Sequence, residues 1–362
     1  MLDLVERQSN ASVMPRQFHP SLLQFVKQPY VAYSSAGTPY TRWRRIGMPR
    51  IPDEALHGAV FLYETIDGAR EGSECGGTGF VVGVPSEQFP QHLLYTYVVS
   101  NWHVAVDSGA SIIRLNLKDG GVDVFEHEPS EWTFKPGVDV AAIPANIGDS
   151  HQVTVAPAGL LLTREMATSI NIGPGDDVFM IGRFIDHDGG STNKPAVRFG
   201  HISMAPGAIK NDMGWTVNSY CIDVHSRSGY SGSPVFAYRL FGTALGNAVL
   251  RDNKPIEASY NTFFCLLGIH WGQFPEIWEL SQPEKLKESH EPLIKSGQYV
   301  KGLSGMTCVV PGWDILEVLN LPELQGQRKN ADLYYDQKFR RDGLPPVPEV
   351  KSPVALPNLQ SS

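Results

Sequence analysis

One serine stands between glycines in Ser226-Arg227-Ser228-Gly229-Tyr230-Ser231-Gly232-Ser233-Pro234-Val235-Phe236, and the segment runs straight into an apolar, strand-like stretch. Glycines on either side let the backbone take the tight conformation that displays Ser231 and aims the amides of Gly229 and Ser231 at one small volume. A carbonyl oxygen held there could become an oxyanion. A serine hydroxyl is a weak nucleophile until a base removes its proton and a third group holds that base. The chain therefore needs a histidine and a carboxylate in matching settings.

The best base is His103, at the end of the β-branched and aromatic run Tyr95-Thr96-Tyr97-Val98-Val99-Ser100-Asn101-Trp102-His103-Val104-Ala105. That run reads as a strand passing into a turn, which puts an imidazole at the rim of a rigid sheet. None of the other histidines follows so strand-like a segment, although a strand-end histidine can also serve simply as a hydrogen-bonding group. The best carboxylate is Asp139 in Pro136-Gly137-Val138-Asp139-Val140-Ala141-Ala142-Ile143, an acid among apolar residues after a turn. Burying an unpaired carboxylate is costly, so such an acid implies a partner, and a histidine N–H is a natural one. Asp107, four residues past His103, and Asp123, in the Gly-rich Asp119-Gly120-Gly121-Val122-Asp123, are the competitors. The second of these settings reads as a hairpin turn carrying an ordinary solvated acid.

In the order His103, Asp139, Ser231 the chain resembles the chymotrypsin-like serine peptidases, especially their bacterial trypsin-like branch. Three further stretches carry the resemblance: Cys75-Gly76-Gly77-Thr78-Gly79-Phe80-Val81-Val82 before the histidine strand, Gly175-Asp176-Asp177-Val178-Phe179-Met180-Ile181-Gly182, and Val197-Arg198-Phe199-Gly200-His201-Ile202-Ser203. The match covers residues 57 to 320. It implies an all-β fold of two six-stranded antiparallel barrels with a C-terminal helix, the first barrel supplying His103 and Asp139 and the second Ser231. It also implies an oxyanion hole from Gly229 and Ser231, a protein or peptide substrate, and no cofactor or metal. Leu266-Leu267-Gly268-Ile269-His270-Trp271-Gly272 is similar to one wall of the family's primary specificity pocket, and with Ser231-Gly232-Ser233-Pro234 it resembles the glutamyl endopeptidases. By that resemblance His270 and Ser226 bind an acidic side chain, Trp271 and Gly272 line the wall, and His225 sits near the pocket floor. Cleavage after Glu, or secondarily Gln, is the expectation. Tyr230 departs from the acid that digestive-type members carry before the nucleophile, so activation through a new N-terminus is not expected. An α/β-hydrolase fits poorly, because Ser233 stands where its elbow needs glycine and the base and acid precede the serine. The alternative function is a catalytically silent trypsin-like fold acting as a protein-binding module.

The elements that must position these residues are strands. The 362 residues are 42% hydrophobic, with 35 glycines and 27 prolines, and the apolar runs are short and separated by turn residues. That pattern gives an all-β barrel or sandwich independently of any resemblance. A helix is expected from Pro311 through Leu319. The organisation reads as a basic N-terminal extension over 1–56, a first barrel over 57–160, a second barrel with its helix over 161–323, and a polar, Pro-rich, disordered tail over 324–362. Residues 1–50 hold seven Lys/Arg against two acids, while the whole chain carries −8. The 26 residues from Ala237 to Thr262 exceed what two strands need for a connection and are expected to border the cleft.

Cys75, Cys221, Cys265 and Cys308 stand singly, without metal-ligand spacing, and read as buried thiols; Cys221 and Cys265 could occupy facing strands. Asp186-His187-Asp188-Gly189-Gly190 lacks the later ligands of a calcium loop and reads as a hairpin tip. No stretch has the length of a membrane span and no signal-peptide pattern opens the chain, so a cytoplasmic location without nucleic-acid or membrane partners is expected.

Overall fold

A computed structural model describes residues 51, 53–183, 190–210, 214, 216–224, 229–239, 250–251, 254–255, 263–279 and 299–343. The N-terminal extension through residue 50, the Asp186–Gly189 stretch, His225, Ser226 and most of the Ala237–Thr262 connection lie outside them.

The first half is a sheet of β1 (Ala59–Tyr63), β2 (Cys75–Pro85), β3 (Leu94–Ser100), β4 (Ile112–Asn116), β5 (Val122–Phe125), β6 (Thr133–Phe134), β7 (Ala141–Pro144) and β8 (Ala156–Pro157). It has eight strands in the order β5-β4-β1-β2-β3-β7-β6, with β8 parallel on β2. The expected six-stranded barrel is thus corrected here. Two extra short strands join, and β5 and β6 end the order without pairing to each other.

The second half contains β9 (Asp177–Gly182), β10 (Ala196–Lys210), β11 (Thr216–Asp223), β12 (Pro234–Arg239), β13 (Leu250–Arg251), β14 (Lys254–Pro255), β15 (Phe263–Glu279) and β16 (Tyr299–Pro311). The pairing β10-β11-β16-β15-β12-β9 closes a six-stranded antiparallel barrel, and β13 and β14 form a separate ribbon in the long connection. Short helices α1 (Asp53–Leu56), α2 (Ile66–Glu71) and α3 (Arg164–Ser169) accompany the strands.

The apolar strands bury both faces, which is why they read as runs rather than alternations. Val81 and Val98 point into the core of the first sheet with Leu62, Ile113 and Ile143. Their neighbours Phe80, Val82, Tyr97 and Val99 point the other way and meet Leu266, Ile269 and Val310 of the second barrel. β2 and β3 therefore serve two cores at once and join the halves.

Helix α4 (Gly312–Leu319) follows Pro311 as expected and buries Trp313, Ile315, Val318 and Leu319. A second helix, α5 (Pro322–Asp342), occupies the first part of the tail expected to be disordered from residue 324, and residues 344–362 lie outside the described ones. Pro322 suits its first turn, where the missing N–H costs nothing. Its buried stripe is Leu324, Arg328 and Asp332, one turn apart. Arg328 donates to the Tyr97 hydroxyl at 3.0 Å and to the Leu319 carbonyl at 2.8 Å. Asp332 accepts from the Ser86 hydroxyl at 2.6 Å and from the Tyr95 hydroxyl. The helix is thereby stapled to β2 and β3 from a base on the second barrel.

All four cysteines are free and buried. Cys221 faces Cys308 across β11 and β16, while Cys265 faces Ala237, so the facing pair differs from the one expected. Among the described residues no helix is long and apolar enough to cross a membrane.

Candidate active site

Strand β3 ends at Ser100, and the chain turns through one wide helical turn, His103–Asp107, that leaves the His103 ring a quarter exposed. Asp139 lies just ahead of β7 with its side chain fully buried. Its carboxylate accepts twice from His103, from the backbone amide at 2.9 Å and from Nδ1 of the ring at 2.7 Å. A buried carboxylate has only lone pairs to offer, so the ring proton sits on Nδ1 and Nε2 carries the free lone pair. Asn101 adds a third restraint by donating from Nδ2 to the Asp139 carbonyl at 2.9 Å. The competing acids are placed elsewhere. Asp107 is exposed at the end of the helical turn, and Asp123 meets Nε2 of His151 at 3.0 Å. Asp123 is therefore paired rather than simply solvated, because the segment around His151 folds back beside the hairpin.

Ser231 lies on the loop before β12, and this loop is gripped by β2. The Thr78 amide donates to the Ser231 carbonyl at 2.8 Å, and the Thr78 hydroxyl donates to the Gly229 carbonyl at 2.8 Å. The Ser231 carbonyl and the side chain of Val104, next to His103, both lie against Gly77. The serine loop and the histidine turn are thus brought to the same stretch of β2. Gly229 and Gly232 have φ of 90° and 87°, a region that favours glycine. At Gly232 a Cβ would also fall 1.7 Å from the Thr78 carbonyl. Among the described residues the Gly229 and Ser231 amides meet no acceptor, whereas Gly232 donates to the His270 carbonyl at 2.9 Å and Ser233 to the Tyr230 carbonyl at 3.0 Å. The Ser231 hydroxyl likewise has no hydrogen-bond partner among the described residues, a bond to His103 included. Such bonds often tighten only when substrate binds.

The specificity wall differs from its expectation. His270 is 1% exposed, and its Nδ1 lies 3.1 Å from the Tyr230 carbonyl. A carbonyl can only accept, so Nδ1 is the protonated nitrogen, and burial pushes the ring's pKa down to about 3. Nε2 is left as a shielded lone pair without a partner among the described residues. Trp271 is half-buried and donates from Nε1 to the Ser219 hydroxyl at 2.8 Å, and Gly272 continues the strand opposite Cys308. Tyr230 is fully buried, with the Arg198 guanidinium 5.0 Å over its ring. That side chain anchors the loop from below by packing.

Thr78, Ser100 and Asn101 are the positioning groups that residue types alone did not single out. Thr78 and Asn101 were read only as parts of strand-like motifs. A hydroxyl two residues before the phenylalanine of β2 was the available signal.

No family model matches this sequence, and no curated protein matches it. Solved structures that match this chain in part include proteases and a protease domain. An HtrA-type protease, AlgW, with a decapeptide is 18% identical, with a TM-score of 0.38, over 71% of this chain and 53% of that one. The match thus spans about half the length of AlgW. The MamO protease domain from Magnetospirillum magneticum is 15% identical with a TM-score of 0.39, over 73% and 97% of the two chains. The active form of the Rv3671c protease from M. tuberculosis is 15% identical with a TM-score of 0.36, over 79% and 93%.

Proposed function

We propose that this chain is a serine endopeptidase that cuts peptide bonds through Ser231, His103 and Asp139. The observation that carries the reading is the buried Asp139 carboxylate holding Nδ1–H of His103 at 2.7 Å, beside a serine loop whose Gly229 and Ser231 amides meet no acceptor among the described residues. His103 Nε2 takes the Ser231 proton as the hydroxyl attacks the peptide carbonyl. Asp139 keeps the tautomer and stabilises the imidazolium, and the two amides receive the oxyanion. The protonated ring then gives its proton to the leaving amine, and water repeats the sequence on the acyl-enzyme. A pocket of Trp102, Phe134, Lys135, Pro136, Gly137 and Val138 lies next to the base and its acid, and its mainly apolar walls suit an apolar substrate side chain.

For the residue before the scissile bond, the sequence suggested Glu through His270 and Ser226, with Gln second. The state of His270 removes the basis for that order. A neutral, buried ring that donates from Nδ1 to the Tyr230 carbonyl offers a carboxylate no positive charge and, at 1% exposure, no reachable donor. Incubating the protein with a mixed peptide library and mapping the cuts by mass spectrometry tests both levels. Cuts abolished by Ser231→Ala, with no strong preference for Glu over Gln, are expected. Cuts persisting in Ser231→Ala would refute the nucleophile, and cuts confined to Glu would refute the neutral, unreachable state given to His270.

A further inference from the structure

Thr78 makes hydrogen bonds on every side of the serine loop, yet it belongs to the opposite half of the molecule. It is fully buried in β2. Its hydroxyl oxygen accepts from the Arg183 amide at 3.0 Å, immediately after β9. With that lone pair taken, the single hydroxyl hydrogen is directed to the Gly229 carbonyl at 2.8 Å. Its own amide holds the Ser231 carbonyl at 2.8 Å. Its carbonyl accepts from the Ser100 hydroxyl at 2.8 Å, at the end of the strand that leads to His103.

We propose that Thr78 is a positioning residue that latches the oxyanion loop of this enzyme, so that the anion-binding amides are aligned only while the two halves are docked. The proposal rests on the peptidase reading above. Its physical basis is the pair of carbonyls it fixes, Gly229 and Ser231, one on each side of Tyr230. Gly229 is a glycine at φ 90°, with no Cβ to restrict rotation of its flanking peptides. The Thr78 hydroxyl supplies the restraint that a side chain at Gly229 would otherwise give. Alignment of donors before reaction is what makes an oxyanion hole effective. Because the same residue is bonded to Ser100, movement of the base-bearing half is transmitted to the amides that receive the charge.

Thr78→Val keeps the shape and removes the hydroxyl, and Thr78→Ser restores it. With a cleaved peptide as substrate, the valine variant is expected to lose about 10- to 100-fold in kcat with KM within about threefold, and the serine variant to stay within about threefold of the parent. A second readout does not depend on catalysis. In the Ser231→Ala background, hydrogen exchange at the Gly232 and Ser233 amides should accelerate about 10-fold or more in the valine variant, with residues 79–85 unchanged. Equal kcat and equal exchange in the valine variant would overturn the latch. So would a serine variant that fails to recover what valine loses, or exchange that rises equally along β2, since either marks a general packing role. If the parent protein cleaves nothing, the peptidase reading falls by itself and the exchange result alone decides the latch.

Discussion

Two buried carboxylates in this molecule, Asp139 and Asp332, share burial and hydrogen bonding and differ in what faces them. Asp139 is met by the amide and ring N–H of a single histidine whose other edge is a quarter open. Asp332 is met by two hydroxyls, from Ser86 and Tyr95, inside a closed packing layer. The hydroxyls satisfy the charge and in return fix α5 against β2 and β3; burial and the carboxylate push the Tyr95 phenol up, so it stays a donor. The histidine transmits the charge to a nitrogen that can take a proton. The same buried group is therefore a staple in one place and an orienting acid in the other, decided by whether its partner has a second, reachable reactive atom.

Breaking the two pairs should separate the roles. Asp139→Asn is expected to lower kcat about 10⁴-fold, because the amide no longer enforces the Nδ1–H tautomer, with little change in unfolding temperature; peptide hydrolysis and calorimetry on one sample measure both. Asp332→Ala should do the reverse. Two buried hydroxyls lose their acceptor, at a cost of about 1–3 kcal/mol in urea unfolding, while kcat stays within about twofold. A catalytic loss in Asp332→Ala equal to that in Asp139→Asn would erase the distinction.

A third buried acid, Asp314, sharpens it, with no side-chain hydrogen bond among the described residues. Asp314, in the first turn of α4, is pushed up to about 6 by burial, with Glu317 adding to the effect. Its folded pKa lies above its ordinary value of 3.8, so the folded chain binds the proton more tightly than the unfolded one. Stability from this group is present below about pH 4 and is lost as pH rises through about 6. Asp314→Asn should therefore stabilise by roughly 1–2 kcal/mol at pH 7.5 and by nothing near pH 4, read as the difference in denaturation midpoint at the two values. An equal difference at both pH values would show that the carboxyl is not titrating in this window.

The contrast also explains what was legible. Asp139 announces itself because Val138, Val140, Ala141 and Ala142 surround it, so an acid there must be buried and must be paired. Asp332 sits in a polar helix whose buried stripe is Leu324, Arg328 and Asp332, and a hydrophobic period cannot reveal a face made of charges. The strands and α4 are readable from apolar runs and turn residues, whereas the polar composition of α5 reads as a tail. His270 is readable as a strand residue, but its protonation depends on a carbonyl 40 residues away, at Tyr230. Thr78 was visible only as part of a motif, since its contacts with Gly229 and Ser231 exist only once the halves meet.

The central claim is that Ser231 is an activated nucleophile. Labelling the full chain with a fluorophosphonate probe at neutral pH tests it most directly, because only a serine deprotonated by its neighbouring base reacts at a useful rate. The account predicts rapid, stoichiometric labelling that is abolished by Ser231→Ala and strongly slowed by His103→Ala. A folded parent protein that takes up no label, or a Ser231→Ala variant that labels equally, would contradict it.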